Sequence, residues 1–265
     1  MPKTILKYYS IFLISLRNHV VYIYDIIGFN AIYIIRVFVI ILMLKAIYSL
    51  KASSYIWYSL QEVSWALIFV QALVTSKPKI SDEVSHEIKS GEITKYLLNP
   101  ISYIDYKFLE HLARFVYNLT IAISTWLVLW YLLLWGIETS FKWFLAWMIL
   151  VFWAIFVNFF SYMLIGLSAF FNWDSDWIRS IYSSLEKLFA WNVLPIPMFP
   201  IFLQTFIFWS HFAYTWYTAG LIFVRYDTQV FLRYLLMEII WSLFFYLACI
   251  IAYKKGLKKL VINWW

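Results

Sequence analysis

Three stretches of this sequence contain no Asp, Glu, Lys or Arg: residues 115–137, 143–173 and 188–224. Each exceeds the ~20 residues that carry a helix across a bilayer. A water-soluble fold cannot hide uninterrupted apolar runs of that length, because too much of its surface stays wet. The composition agrees. Of 265 residues, 64% are hydrophobic and 23% aromatic, and only 13% are charged, against ~25% charged in an ordinary soluble domain. Disorder is excluded as well, since it requires low hydrophobicity and high charge. A β-barrel would alternate apolar and polar residues over ~10-residue strands, and the runs here are continuous. The expected class is all-α: a polytopic membrane protein forming one transmembrane domain over residues 1–265, with no internal repeat.

Six spans are expected, at residues 22–44, 55–76, 108–135, 142–170, from about 177 to no further than 193, and 230–253. Residues 3–19 are basic and amphipathic. Lys3, Lys7, Ser10 and Arg17 share one stripe and Ile5, Tyr9, Phe12 and Leu16 another, as in a helix lying in the membrane interface. Pro195, Pro197 and Pro200 stop the fifth span. The charge-free stretch 188–224 is too long for one helix and too punctuated for two full spans. Residues 195–225 are therefore expected to form short re-entrant helices, at 198–209 and 212–224, which are tolerated where protein buries them. Thirteen lysines and arginines fall on the side that holds both termini and residues 77–107, against about five on the other. The positive-inside rule then places both termini in the cytoplasm of a cell membrane. The formal net charge of +7 reads as membrane orientation and contact with lipid rather than nucleic-acid binding.

Residues 77–107 form the longest polar segment, and more order is written into it than a passive loop needs. Ser81 is a candidate N-cap, with Asp82 and Glu83 in the first turn where the helix dipole favours acids. Val84 and Ile88 share one face, and Gly91 suits the left-handed position that ends a helix. A second turn over residues 93–98 is stopped by Asn99-Pro100, and Ser102 with Asp105 has the form of a capping box. Two readings stand: an interfacial helix that re-enters the membrane, or a docking element for a cytoplasmic partner.

The run Glu87-Ile88-Lys89-Ser90-Gly91-Glu92-Ile93, followed by Tyr96-Leu97-Leu98-Asn99-Pro100-Ile101, resembles the segment after the second span in ABC type-2 transporter permeases, especially a branch of small bacterial drug or viologen exporters. A second block, Leu194-Pro195-Ile196-Pro197-Met198-Phe199-Pro200, resembles a proline signature of that branch after the fifth span. Phe212-Ala213 and the stretch from Tyr217 to Gly220 resemble the motif that follows it. His211 and Thr218 depart from the pattern, each standing where proline is usual. The resemblance implies a permease that dimerises, with itself or with a second permease, and pairs with two separate ATPase subunits. Asp82, Glu83, Val84, Glu87, Ile88, Gly91, Ile93, Leu97, Leu98 and Pro100 would belong to the element that couples to the ATPase. Pro195, Pro197, Pro200 and Gly220 would belong to a re-entrant cap, and residues 3–19 to an elbow helix.

No nucleotide-binding GxxxxGK[ST] motif is present, so ATP and Mg²⁺ would be held by the partner, and this chain is not expected to be an enzyme. HExxH, CxxC and GxSxG are absent too. Glu83 with His86, and Asp174 with Asp176, are too sparse for a metal site. Ionisable groups inside spans are costly and functional by default. Arg36 and Glu62 lie at similar depths in neighbouring spans and are expected to pair. Glu238 is expected to snorkel or to pair with Arg233 or Arg225, and Asn158 and Gln71 to bond helices together. The tryptophans at 126, 130, 135, 143, 147 and 153 read as an interfacial belt or as a path for an organic cation. An ATPase-independent transporter or channel is the alternative, although inverted repeats and several mid-membrane charges are not evident.

Overall fold

The computed structural model describes residues 3–20, 23–49, 59–98, 100–133, 141–171, 175–190, 196 and 199–262. In chain order the helices are α1 (Lys3–Val20), α2 (Ile23–Ser49), α3 (Leu60–Ser76), α4 (Ile80–Lys89), α5 (Thr94–Leu97), α6 (Tyr103–Leu133), α7 (Phe141–Leu167), α8 (Asp176–Phe189), α9 (Ile201–Trp209), α10 (Tyr217–Val224) and α11 (Thr228–Ile262). Single 3-10 turns at Ser168–Phe170 and His211–Tyr214 join some of them. No strand occurs among the described residues. Asn30–Ser49, Phe141–Phe170 and Thr228–Lys259 are long and apolar enough to cross a membrane. These lengths and compositions mark a membrane protein.

The helix limits follow local chemistry. Ser59 and Glu62 form a reciprocal capping box at the start of α3: the Ser59 hydroxyl accepts from the Glu62 amide at 3.2 Å, and the Ser59 amide donates to the Glu62 carboxylate at 2.7 Å. Gly91 has φ of +76° immediately after α4 and its Ser90 cap, the left-handed exit expected for it. The chain then folds back, with the Ile93 amide donating to the Glu87 carbonyl at 3.0 Å. Pro200 stands at the N-cap of α9, its carbonyl accepting from the amides of Leu203 and Gln204.

α7 is the centre of the bundle, packing against α11, α4 and α10, while α3 packs against α2, α6 and α10 and α1 lies along α6. Two glycines set close approaches between helices. A Cβ on Gly166 would sit 2.7 Å from Val84 Cβ and 3.1 Å from the Ser81 carbonyl oxygen, so α4 rests directly on α7. A Cβ on Gly220 would sit 2.6 Å from Val70 Cγ2, so α10 rests directly on α3. Small residues serve this purpose wherever helices must touch backbone to backbone. α10 is buried along its whole length, whereas α9 exposes Ile201, Phe202, Phe206 and Trp209. The expected short helices at 198–209 and 212–224 are thus present as unequal partners.

α8 differs from the fifth span read from the sequence. It has 14 residues, about 21 Å of helix, which falls short of a ~30 Å hydrocarbon core. It is also turned inside out relative to a helix in water. Trp177, Ile181, Leu185 and Leu188 form an exposed apolar stripe, while Glu186 is the one buried residue.

Candidate functional site

The ordered polar segment between α3 and α6 is the best-defined candidate functional element. Ile80, Val84, Ile88 and Ile93 are buried with Tyr103, Ile104, Phe159, Phe160 and Met163 in one apolar cluster. Around this seat the acids of α4 each find a basic partner on another helix. Asp82 pairs with Arg179 of α8 and Glu83 with Arg114 of α6. Glu87 accepts from Lys107 at 2.6 Å, from the Tyr103 hydroxyl at 2.6 Å and from the Tyr96 hydroxyl at 3.2 Å. Ser85 and Ser175 meet at 2.8 Å.

The Lys107–Glu87 pair is the driest of the three, while Asp82–Arg179 and Glu83–Arg114 stay partly open to solvent. Burial alone would lower the Lys107 ammonium, but Glu110 and Glu87 outweigh it and hold the group above its ordinary value. Burial pushes the Tyr96 hydroxyl up to about 12, against the pull of Lys107. Burial and the Glu87 carboxylate together push the Tyr103 hydroxyl well up.

This geometry narrows one expectation. Asp82, Glu83, Val84, Glu87, Ile88 and Ile93 read as a face for a partner subunit, but all six are spent on contacts within the chain. Their polar atoms are drawn inward because Arg179, Arg114 and Lys107 arrive from distant parts of the sequence. What remains outward is the tip, together with His86, Lys89 and Ser90. Leu98 is 89% exposed and Leu97 47%, flanked by exposed Glu92, Thr94, Lys95 and Pro100, with Gly91 half-buried at the turn.

A second cluster joins this segment to the bundle. Glu186, 2% exposed, accepts from Lys77 at 2.6 Å, Asn158 at 2.7 Å, the Tyr162 hydroxyl at 2.5 Å and the Trp216 indole at 3.1 Å. Lys77 also lies 4.1 Å over the Tyr162 ring. Four donors from three segments therefore converge on one carboxylate. Sequence reasoning found Asn158 but not Glu186 or Lys77. The rule that singled out Glu62, an acid within the limits of an expected span, applies equally to Glu186.

The remaining intramembrane candidates separate. Arg36 is exposed on α2, and Glu62 is occupied by its capping box, so the expected Arg36–Glu62 pair does not form. A capping acid must sit at its own helix end, which takes Glu62 out of reach. Glu238 does not snorkel. It is fully buried and accepts from the Thr218 hydroxyl at 2.7 Å. The departure from proline at 218 thus supplies a donor to a buried acid. Pro195, Pro197 and Asp174 lie outside the described residues, and so do Trp135 and the side chains of Trp126 and Trp130. Trp147 packs edge-on against Phe69 and Phe223 at 5.5 and 5.7 Å, and Phe115 stacks on Trp216 at 6.0 Å. These rings fill the core against one another.

No known family model matches this chain, and no curated protein matches it either. The reading of function therefore rests on the residues. The α4–α5 unit can act as a rigid handle: a short helix pair, tied to α6, α7 and α8, with an apolar tip facing away from the bundle.

Proposed function

We propose that this chain is the permease subunit of an ABC exporter, working as a dimer with itself or a second permease and driven by a separate ATPase pair. The observation that carries the reading is the α4–α5 unit. Its acids and apolar face are consumed in fixing it to three bundle helices, and it leaves Leu97 and Leu98 exposed. An exposed leucine pair on an ordered element is a surface that a partner can cover. ATP and Mg²⁺ would be bound by that partner. Force applied at the tip would pass through Asp82–Arg179 and Glu83–Arg114 into α8 and α6, and the helix bundle would rearrange to release an amphipathic substrate outward.

The test is co-purification with the ATPase encoded beside this gene. Leu98→Asp and Leu97→Asp should abolish co-purification while leaving the permease folded and in the membrane, because both side chains are outside the core. Retention of the ATPase by both variants would defeat the docking role of the tip. The alternative, an ATPase-independent carrier, draws support from Glu238, a fully buried acid on a helix apolar enough to cross a membrane. Transport by the purified chain in liposomes without any ATPase would favour that alternative.

A further inference from the structure

The exposed face of α11 carries an apolar stripe: Leu232, Leu236, Ile240, Leu243, Leu247 and Ile251, all about half exposed, at helical spacing of three and four. From Leu232 to Ile251 the stripe rises about 28 Å, close to the ~30 Å hydrocarbon thickness of a bilayer. The next residue on the same face is Lys254, which therefore stands at the level of lipid headgroups. There it lines a cavity of about 450 Å³ between α11 and the start of α6, whose walls include Asp105, Tyr96, Tyr253, Ile250 and Leu257. Asp105 is half-buried and Lys254 exposed. Among the described residues neither has an ion-pair partner, and they are not paired with each other.

We propose that this cavity binds the headgroup of a phospholipid carrying a phosphate and a primary ammonium, with one acyl chain lying along the α11 stripe. Lys254 receives the phosphate and Asp105 the ammonium. A quaternary ammonium fits less well. It cannot donate a hydrogen bond to Asp105, and two of the aromatic rings that would attract it already have a face occupied: Lys107 lies 5.4 Å over the Tyr96 ring, and Tyr103 stacks on Tyr253 at 5.6 Å. An anionic headgroup without an amine would leave Asp105 facing like charge. This inference rests on the membrane character of the chain and not on the ATPase partnership.

The test is reconstitution of the full chain, without any ATPase, into nanodiscs holding equal parts phosphatidylethanolamine, phosphatidylcholine and phosphatidylglycerol, with retained lipid read by native mass spectrometry. Phosphatidylethanolamine should be enriched about three- to fivefold, the size expected of one half-exposed charge pair. Asp105→Asn should remove the preference, Asp105→Glu should keep it, and Lys254→Gln should lower retention of all three lipids. Equal retention by the wild type, or a preference untouched by Asp105→Asn, would overturn the proposal. So would enrichment of phosphatidylglycerol, which would assign the site to Lys254 alone. Disulfide cross-linking of Leu247→Cys or Ile251→Cys between two copies would overturn it too, by showing that protein covers the stripe.

Discussion

Lys77 and Glu186, 109 positions apart, form a 2.6 Å ion pair in which the carboxylate is almost wholly buried and is also held by Asn158, Tyr162 and Trp216. Lys77 is the C-cap of α3, where the polar segment begins. The pair therefore fixes the root of that segment to α8, while Asp82–Arg179 fixes its first turn to the same helix.

The two partners are not equivalent. Glu186→Ala strands a lysine beside a dry aromatic ring and should cost about 3 kcal/mol, read as a lower unfolding midpoint in detergent. Lys77→Met leaves Glu186 with three donors and should cost less than half as much. Equal losses from the two variants would show that the neutral donors contribute nothing.

Gly166 is where α4 meets α7. Gly166→Leu should force the two apart, with a cost of about 1–3 kcal/mol and faster hydrogen exchange across Ile80–Lys89. Gly28, where an added Cβ would meet nothing within 4 Å, is the control: Gly28→Ala should leave exchange in α4 unchanged.

Thr218→Val removes the donor that Glu238 uses and leaves a buried acid without it. A loss of about 1–3 kcal/mol is expected, with Thr218→Ser close to wild type. A wild-type midpoint for Thr218→Val would mean that Glu238 is satisfied by something other than this hydroxyl.

The Lys107 ammonium is held above its ordinary value by its carboxylate partners. A raised basic group contributes stability that is complete below its unfolded value and lost only as pH rises through the folded one. Both values lie in strongly alkaline solution. Protection of α4 in hydrogen exchange, corrected for the intrinsic rate, should therefore be flat between about pH 6 and 9. A fall within that window would assign the anchorage to another group.

Several features were legible in the sequence because their causes are local. Gly91 could be placed at a helix exit because glycine alone enters the left-handed region cheaply, and α4 and α5 fall within two residues of their expected limits. The break between α9 and α10 follows from a charge-free stretch too long for one helix. Pairings were not legible. Arg36 and Glu62 matched in depth, but depth is one coordinate of three, and Glu62 had a closer task at its own helix end. Glu238 had nearby arginines in sequence, yet its donor came from α10, through a residue that looked like a departure from a motif.

The sequence by itself determined that this protein is helical and built for a membrane, because unbroken apolar runs admit no other solvent and a buried backbone must satisfy its own hydrogen bonds. Which way each amphipathic helix faces was decided only by the tertiary structure. α4 has a polar face that in isolation belongs in water, but Arg179, Arg114 and Lys107 claim its acids from other helices. α8 turns its carboxylate inward and its leucines outward. A periodicity fixes which residues share a face, while the medium and the partners on each side decide where that face points.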